Sequence, residues 1–125
     1  MTTVNVNTAD LIGPSLDWAV EEALGYGNRY LEFWNIGGDK RFIYCQVGHS
    51  PSNSWDQGGP IIDREYIGVY PSQSFSGMWA SRPNHAMYFN QAHSYGPTPL
   101  IAAMRCVVTS KLGETVNVPV ELLED

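Results

Sequence analysis

Apolar residues recur at helical spacing in two places along the chain. Leu16, Val20 and Leu24 fall at i, i+4 and i+8 with Ala19 and Ala23 beside them, which makes one apolar face. Pro14 suits a first helical position, where the missing N–H would be unpaired anyway, and Gly25 and Gly27 stop the pattern. A helix over 14–24 follows, with Asp17, Glu21 and Glu22 turned mostly to solvent and Asp17 favoured by the helix dipole. The second pattern is stronger. Thr98 caps, Pro99 opens, and Leu100, Met104, Val107, Val108 and Leu112 form the stripe, with Ala102 and Ala103 permitting close packing. Lys111 complements the C-terminal dipole and Gly113 closes the run, so a helix over 99–112 is predicted.

Between these helices the period changes. Short β-type runs lie near residues 29–34, 41–47, 66–70 and 77–80, residues 87–90 fit either a strand or a loop, and 4–6 and 116–120 read as edge strands. Residues 48–62 and 81–98 read as long surface loops, the kind that carries function in a compact domain. The expected architecture is α+β: a small single domain over 1–125, two main helices packed on a short-stranded antiparallel or mixed sheet with long loops.

Composition narrows the class of function. The chain has 125 residues, 43% hydrophobic, enough for one packed core. Its 13 acidic and 7 basic residues give a net charge of −6, which argues against binding a DNA or RNA backbone. It leaves room for a small anion held by one or two arginines. No apolar N-terminal run resembles a signal peptide and no stretch is long enough for a membrane span, so a cytoplasmic protein is expected. Cys45 and Cys106 are then expected to be reduced and mostly buried.

The densest polar segment is Ser50 to Pro60. Ser52, Asn53, Ser54 and Gln57 offer hydrogen-bonding groups, Gly58-Gly59 can present bare N–H groups to an anion, and Trp55 offers a stacking face. Arg64 nearby could clamp a phosphate. The alternative is a rigid Gly-Gly-Pro turn leading into a strand, with Trp55 packed in the core. A second candidate combines Trp79, Arg82, Asn84, His85 and Tyr88, with His93 and Tyr95 further on; its alternative is a loop pinned by its aromatics. His49, His85 and His93 lack metal-ligand spacing, so neither a metal nor another cofactor is expected. Asp63 and Glu65, if on a strand, would share a face. Arg105, set among apolar neighbours, calls for a carboxylate partner or an anionic ligand, and a structural ion pair is the expectation.

Three segments carry a family resemblance: LDWAVEEALG at 16–25, SPSNSWDQGGPIIDRE at 50–65, and GPTPLIAAMRCVVTSKLG at 96–113 followed by VNVPVEL at 116–122. Together they resemble the NinX-like phage proteins, a family without an assigned activity. The chain departs from the family pattern at Asn53-Ser54 and Asp56, which flank Trp55, and across 25–40. The resemblance implies a phage or prophage origin and hence the host bacterial cytoplasm. With no catalytic motif in view, the expected function is binding of a small anionic molecule, a nucleotide-derived host immune signal, by analogy with small phage proteins that trap such signals. The alternative is a modulator that docks on a host protein through its aromatics; a small nucleotide hydrolase ranks third. A homo-oligomer is expected from the short, aromatic-rich chain.

Overall fold

The structure, a computed structural model, describes residues 3–25, 50–83 and 93–123 in full, and the main chain of two strands over 31–36 and 39–44. Strand β1 (Thr3–Asn7) runs into a 3-10 turn (Thr8–Asp10) and helix α1 (Pro14–Leu24). Strands β2 (Leu31–Ile36) and β3 (Asp39–Tyr44) form an antiparallel hairpin. Helix α2 (Trp55–Glu65) leads into β4 (Ile67–Pro71), β5 (Trp79–Pro83) and β6 (Ser94–Gly96), a three-stranded antiparallel sheet in the order β4-β5-β6. Helix α3 (Pro99–Leu112) then delivers the chain to β7 (Thr115–Pro119), which pairs antiparallel with β1.

The two helices predicted from periodicity are present, and their ends follow the local chemistry. Pro14 and Pro99 open α1 and α3, and the Thr98 side chain accepts the Ile101 N–H. Gly25 closes α1 at φ 77°, a left-handed conformation that glycine adopts without strain. The two terminal strands pair with each other, Val4 opposite Val118 and Val6 opposite Val116, while Asn5 donates to Asn117 across the exposed face. Val116 and Val118 are buried, so this ribbon closes one side of the core.

Helix α3 is the centre of the molecule. Every residue from Leu100 to Val108 is buried. One flank packs on α1 and the other on β4, β5 and β6. Leu16, Val20, Met104, Val107, Val108 and Ile61 belong to one continuous apolar cluster. The Ser81 hydroxyl donates to the Ala102 carbonyl and pins β5 to α3. A helix buried on all sides shows no clean amphipathic stripe, because it has no solvent face to spend polar residues on.

Several expectations change. Asp17 and Glu21 do not face solvent: they are 3% and 0% exposed. Residues 55–65 are helical rather than loop, with Gly58, Gly59 and Pro60 inside the helix. Asp63 and Glu65 therefore lie on a helix, where residues two apart point in different directions, and do not share a strand face. The expected loop over 81–98 contains β6 and the end of β5. Residues 87–90, Cys45, His49, Asn84, His85 and Tyr88 fall outside the described residues.

Candidate functional site

The segment singled out as a loop site is largely consumed by the fold. Chain reversal at residues 50–54 is fixed by Asn53 and Ser54 N–H groups donating to the Ser50 carbonyl. The Ser50 N–H donates to Gln57 Oε1 at 2.7 Å, and the Ser52 N–H donates to Asp17 Oδ1 at 2.9 Å. Burial pushes the Asp17 carboxyl above its ordinary pKa, against the opposing pull of the Ser52 hydroxyl and N–H. Gly58 packs so closely that a Cβ there would meet Leu100 Cδ2 and the Pro51 carbonyl oxygen, each at 2.5 Å. Neither Gly58 nor Gly59 has a positive φ, so no anion-binding nest forms there.

The remaining predicted residues do not gather in one place. Trp55 is 58% exposed at the start of α2, where it, Ser52 and Asn53 line a hollow of about 170 Å³ with Thr98, Pro99 and Leu100. Arg64 stands in the last turn of the same helix, about 14 Å further along at 1.5 Å per residue. Its Nε lies 3.5 Å from Glu65, which also pairs with Lys111 at 3.0 Å. Gly59 borders a separate open depression beside Tyr66 and Ile67. Trp79 and Arg82 are both on β5, three residues apart and so on opposite faces of the sheet. Trp79 shares the face of Ser81, which bonds α3.

A different place concentrates polar chemistry. A cleft of about 410 Å³ opens between the 3-10 turn, β6 and the outer half of α3. Asn7, Thr8, Ala9 and Asp10 form one wall, His93, Ser94 and Tyr95 with Met78 a second, and Arg105, Thr109 and Glu114 the third. Four stretches of the chain are thus brought together around α3.

Arg105 organises this cleft. The residue is 9% exposed; its Nε donates to the Leu11 carbonyl at 2.9 Å and its Nη1 to the Tyr95 carbonyl at 2.8 Å. It ties the end of the 3-10 turn to β6 across α3. Burial lowers its pKa from the ordinary guanidinium value and the charge of Asp10 opposes that shift. Two of five N–H donors are used on protein carbonyls, and the others have no protein acceptor among the described residues. The partner expected for Arg105 was an ion pair; the structure supplies two backbone carbonyls, with Asp10 as a charge nearby.

The wall around Arg105 is built firmly. Thr8 donates its N–H to the Glu114 carbonyl and its hydroxyl to the Gly113 carbonyl, both at 2.8 Å, which fixes the 3-10 turn against the end of α3. Phe75 meets the Tyr95 ring edge-on, with centroids 4.9 Å apart, and Tyr70 meets His93 in the same manner at 5.8 Å. Aromatic edge-to-face pairs hold rings in one orientation. A buried guanidinium, hydroxyls and a braced aromatic wall are the ingredients of a small-molecule cleft.

Sequence reasoning had singled out Arg105, His93 and Tyr95, but in separate contexts. It missed Thr8, Asp10, Thr109 and Glu114, which carry no local signal because each is an ordinary cap or helix-end residue. Among the described residues, no group of three or more His, Cys, Asp or Glu side chains is placed to hold a metal ion. No described helix is long and apolar enough to cross a membrane.

Comparison with known proteins adds one finding. Residues 7–111 match a protein-family model described as Bacteriophage P22, NinX. No curated protein matches the chain. The match spans helices α1 and α2, all but the last residue of α3, and the whole three-stranded sheet, and it takes in most of the cleft lining, Arg105 included.

Proposed function

This chain belongs to the NinX family of phage proteins, and we propose that it acts as a binding protein for a small anionic molecule, a nucleotide-derived signal of the host, held in the Arg105 cleft. The observation that carries the reading is the buried Arg105 guanidinium, two of its donors fixed by main-chain carbonyls, lining a cleft of about 410 Å³. A cation held in place in this way presents its remaining donors without losing side-chain freedom when the ligand arrives. The volume lies within the range of about 300–1,000 Å³ usual for ligand clefts. Sequestration in the host bacterial cytoplasm is the biological form of this proposal, and it asks only for binding.

The test is titration calorimetry of the purified protein with mononucleotides, cyclic mononucleotides and a small-molecule extract of host cells, with denaturation of the loaded protein to release and identify what was bound. A saturable nucleotide-type ligand is expected. Thr109→Phe fills the cleft from a half-buried helical position and is expected to weaken binding at least tenfold with little change in thermal stability. Unchanged binding by Thr109→Phe moves the site elsewhere, and no ligand from panel or extract removes the reading.

A second reading, docking on a host protein, is supported by Trp55 at 58% and Tyr66 at 62% exposure, both on the α2 side of the molecule. Its signature is the reverse: Trp55→Ala impairs the protein's effect in the host while Thr109→Phe does not. Self-association through the same aromatics is checked by light scattering of wild type against Trp55→Ala.

A further inference from the structure

We propose that Asp10 and Glu114 select the ligand of the Arg105 cleft, so that it takes a mononucleotide-sized molecule with one anionic group and an amino-bearing base. This inference rests on the ligand-binding reading and refines it. Asp10 and Glu114 line the same cleft as Arg105, from opposite ends of the chain. Both are exposed, and neither side chain has a hydrogen bond or ion pair among the described residues. Asp10 is close enough for its charge to be felt at Arg105.

Ionised carboxylates accept hydrogen bonds and donate none. Two of them beside a single guanidinium make the cleft unfavourable for a polyanion, since each further phosphate would face a like charge. They make it favourable for N–H donors. An exocyclic amino group meets a carboxylate as a charge-assisted hydrogen bond, whereas a carbonyl at the same ring position meets it as a repulsive pair of acceptors. The cleft supplies the rest of such a ligand's needs. Arg105 takes one anionic group, and the braced rings of His93 and Tyr95 wall the space where a base would lie. The size of the cleft suits one mononucleotide rather than a dinucleotide.

Adenosine and inosine 5′-monophosphate are the probes. They share ribose and phosphate and differ at ring position 6, where an amino group in one is a carbonyl oxygen in the other. Wild type is expected to bind the adenosine form at least tenfold more tightly, equivalent to about 1.4 kcal/mol. The double variant Asp10→Ala/Glu114→Ala is expected to bring the ratio to within about threefold, weakening the adenosine form and strengthening the inosine form. A crossed change of that kind cannot arise from partial unfolding, which weakens both. Should the double variant fail to fold, the single variants Asp10→Asn and Glu114→Gln, which keep the shape of each side chain and remove its charge, carry the same comparison. Equal wild-type affinities overturn the inference and leave the ligand-binding reading intact. A tenfold preference that survives in the folded double variant also overturns it, because the discriminating groups then lie elsewhere. Binding of neither nucleotide overturns it too, and the extract titration then decides the broader reading separately.

Discussion

Two alanine substitutions in α2, at Gly58 and Pro60, are expected to change stability in opposite directions, although intrinsic helix propensity favours both. In an exposed helix interior, alanine is better than glycine by about 1 kcal/mol and better than proline by about 3 kcal/mol. Gly58 is buried, and a Cβ at that position would sit 2.5 Å from the Pro51 carbonyl oxygen and from Leu100 Cδ2. Ordinary contact begins near 3.4 Å, so something must move by about 0.9 Å. The Leu100 methyl is the end of a flexible side chain, but the Pro51 oxygen is main chain. The residues on either side of Pro51 are tethered, Ser50 to Gln57 and Ser52 to the buried Asp17. Overpacking against a held backbone costs about 1–3 kcal/mol, and with the tethers the upper half of that range applies. Subtracting the propensity gain leaves Gly58→Ala less stable by about 1–2 kcal/mol.

Pro60 is exposed, and its ring removes one helical N–H without a packing role to offset the loss. Pro60→Ala is expected to stabilise the protein by about 1–3 kcal/mol. The assay is thermal unfolding followed by circular dichroism, where 1 kcal/mol corresponds to about 3–6 °C for a chain of this size. Gly58→Ala then melts lower and Pro60→Ala higher than wild type. A higher melting point for Gly58→Ala refutes the packing of α2 on Pro51. A lower one for Pro60→Ala refutes a helix running through Gly58-Gly59-Pro60 and restores the turn.

Further predictions concern buried polar groups. Arg105→Met is expected to destabilise by about 2–4 kcal/mol in urea unfolding, because it leaves the Leu11 and Tyr95 carbonyls without their charged donor. Asp17→Asn is expected to stabilise the protein at pH 7. Burial raises the Asp17 pKa in the folded state, so its contribution to stability is full below the ordinary carboxyl value of 3.8 and lost as pH rises through the folded value. The advantage of Asn therefore shrinks on acidification, and urea titrations at pH 7 and pH 4 check it; an advantage that grows at low pH refutes the assignment. Cys106 is buried with its thiol pushed up to about 11, so native alkylation at pH 8 should modify it only on the unfolding timescale. Mass spectrometry of a Cys45→Ser variant reads this, and rapid labelling at Cys106 counts against burial.

The helices at 14–24 and 99–112 were legible because their ends are written in local chemistry: proline at the first position, a capping Thr98, glycine past the last turn. Helix α2 was not, because Gly-Gly-Pro is a breaker on every local scale. Its helicity is set by tertiary structure. Ile61 enters the core, and the bare face of Gly58 lets α2 settle against Pro51 and Leu100. The feature read as a functional turn is a packing device. Asp17 and Glu21 misled for a related reason. Carboxylates one turn apart normally mark a solvent face, but Asp17 is turned inward to hold the 50–54 reversal by its Ser52 N–H. The charge there serves the loop, at a cost in solvation that the raised pKa records.

The cleft was still less legible, and the reason lies in what assembles it. Its walls come from residues 7–10, Met78, 93–95 and 105–114, so the 3-10 turn is more than 60 residues from every other part of the lining. What joins them is the set of main-chain hydrogen bonds made by Arg105 and Thr8, to Leu11, Tyr95, Gly113 and Glu114. Arg105 thus serves packing and the site at once. A ligand bridging Arg105, Asp10 and the Tyr95 wall would add ties among the same three segments. Binding there must raise the unfolding free energy by RT ln(1 + [L]/Kd), about 2.7 kcal/mol at a hundredfold excess over Kd. A ligand confined to the Trp55 hollow would touch only residues 52–55 and the start of α3. It would protect the Thr8 and Leu11 amides only by the uniform gain in global stability that any bound ligand confers. Protection of those two amides beyond the gain shared by the globally exchanging core amides therefore places the ligand in the Arg105 cleft, independently of any mutation.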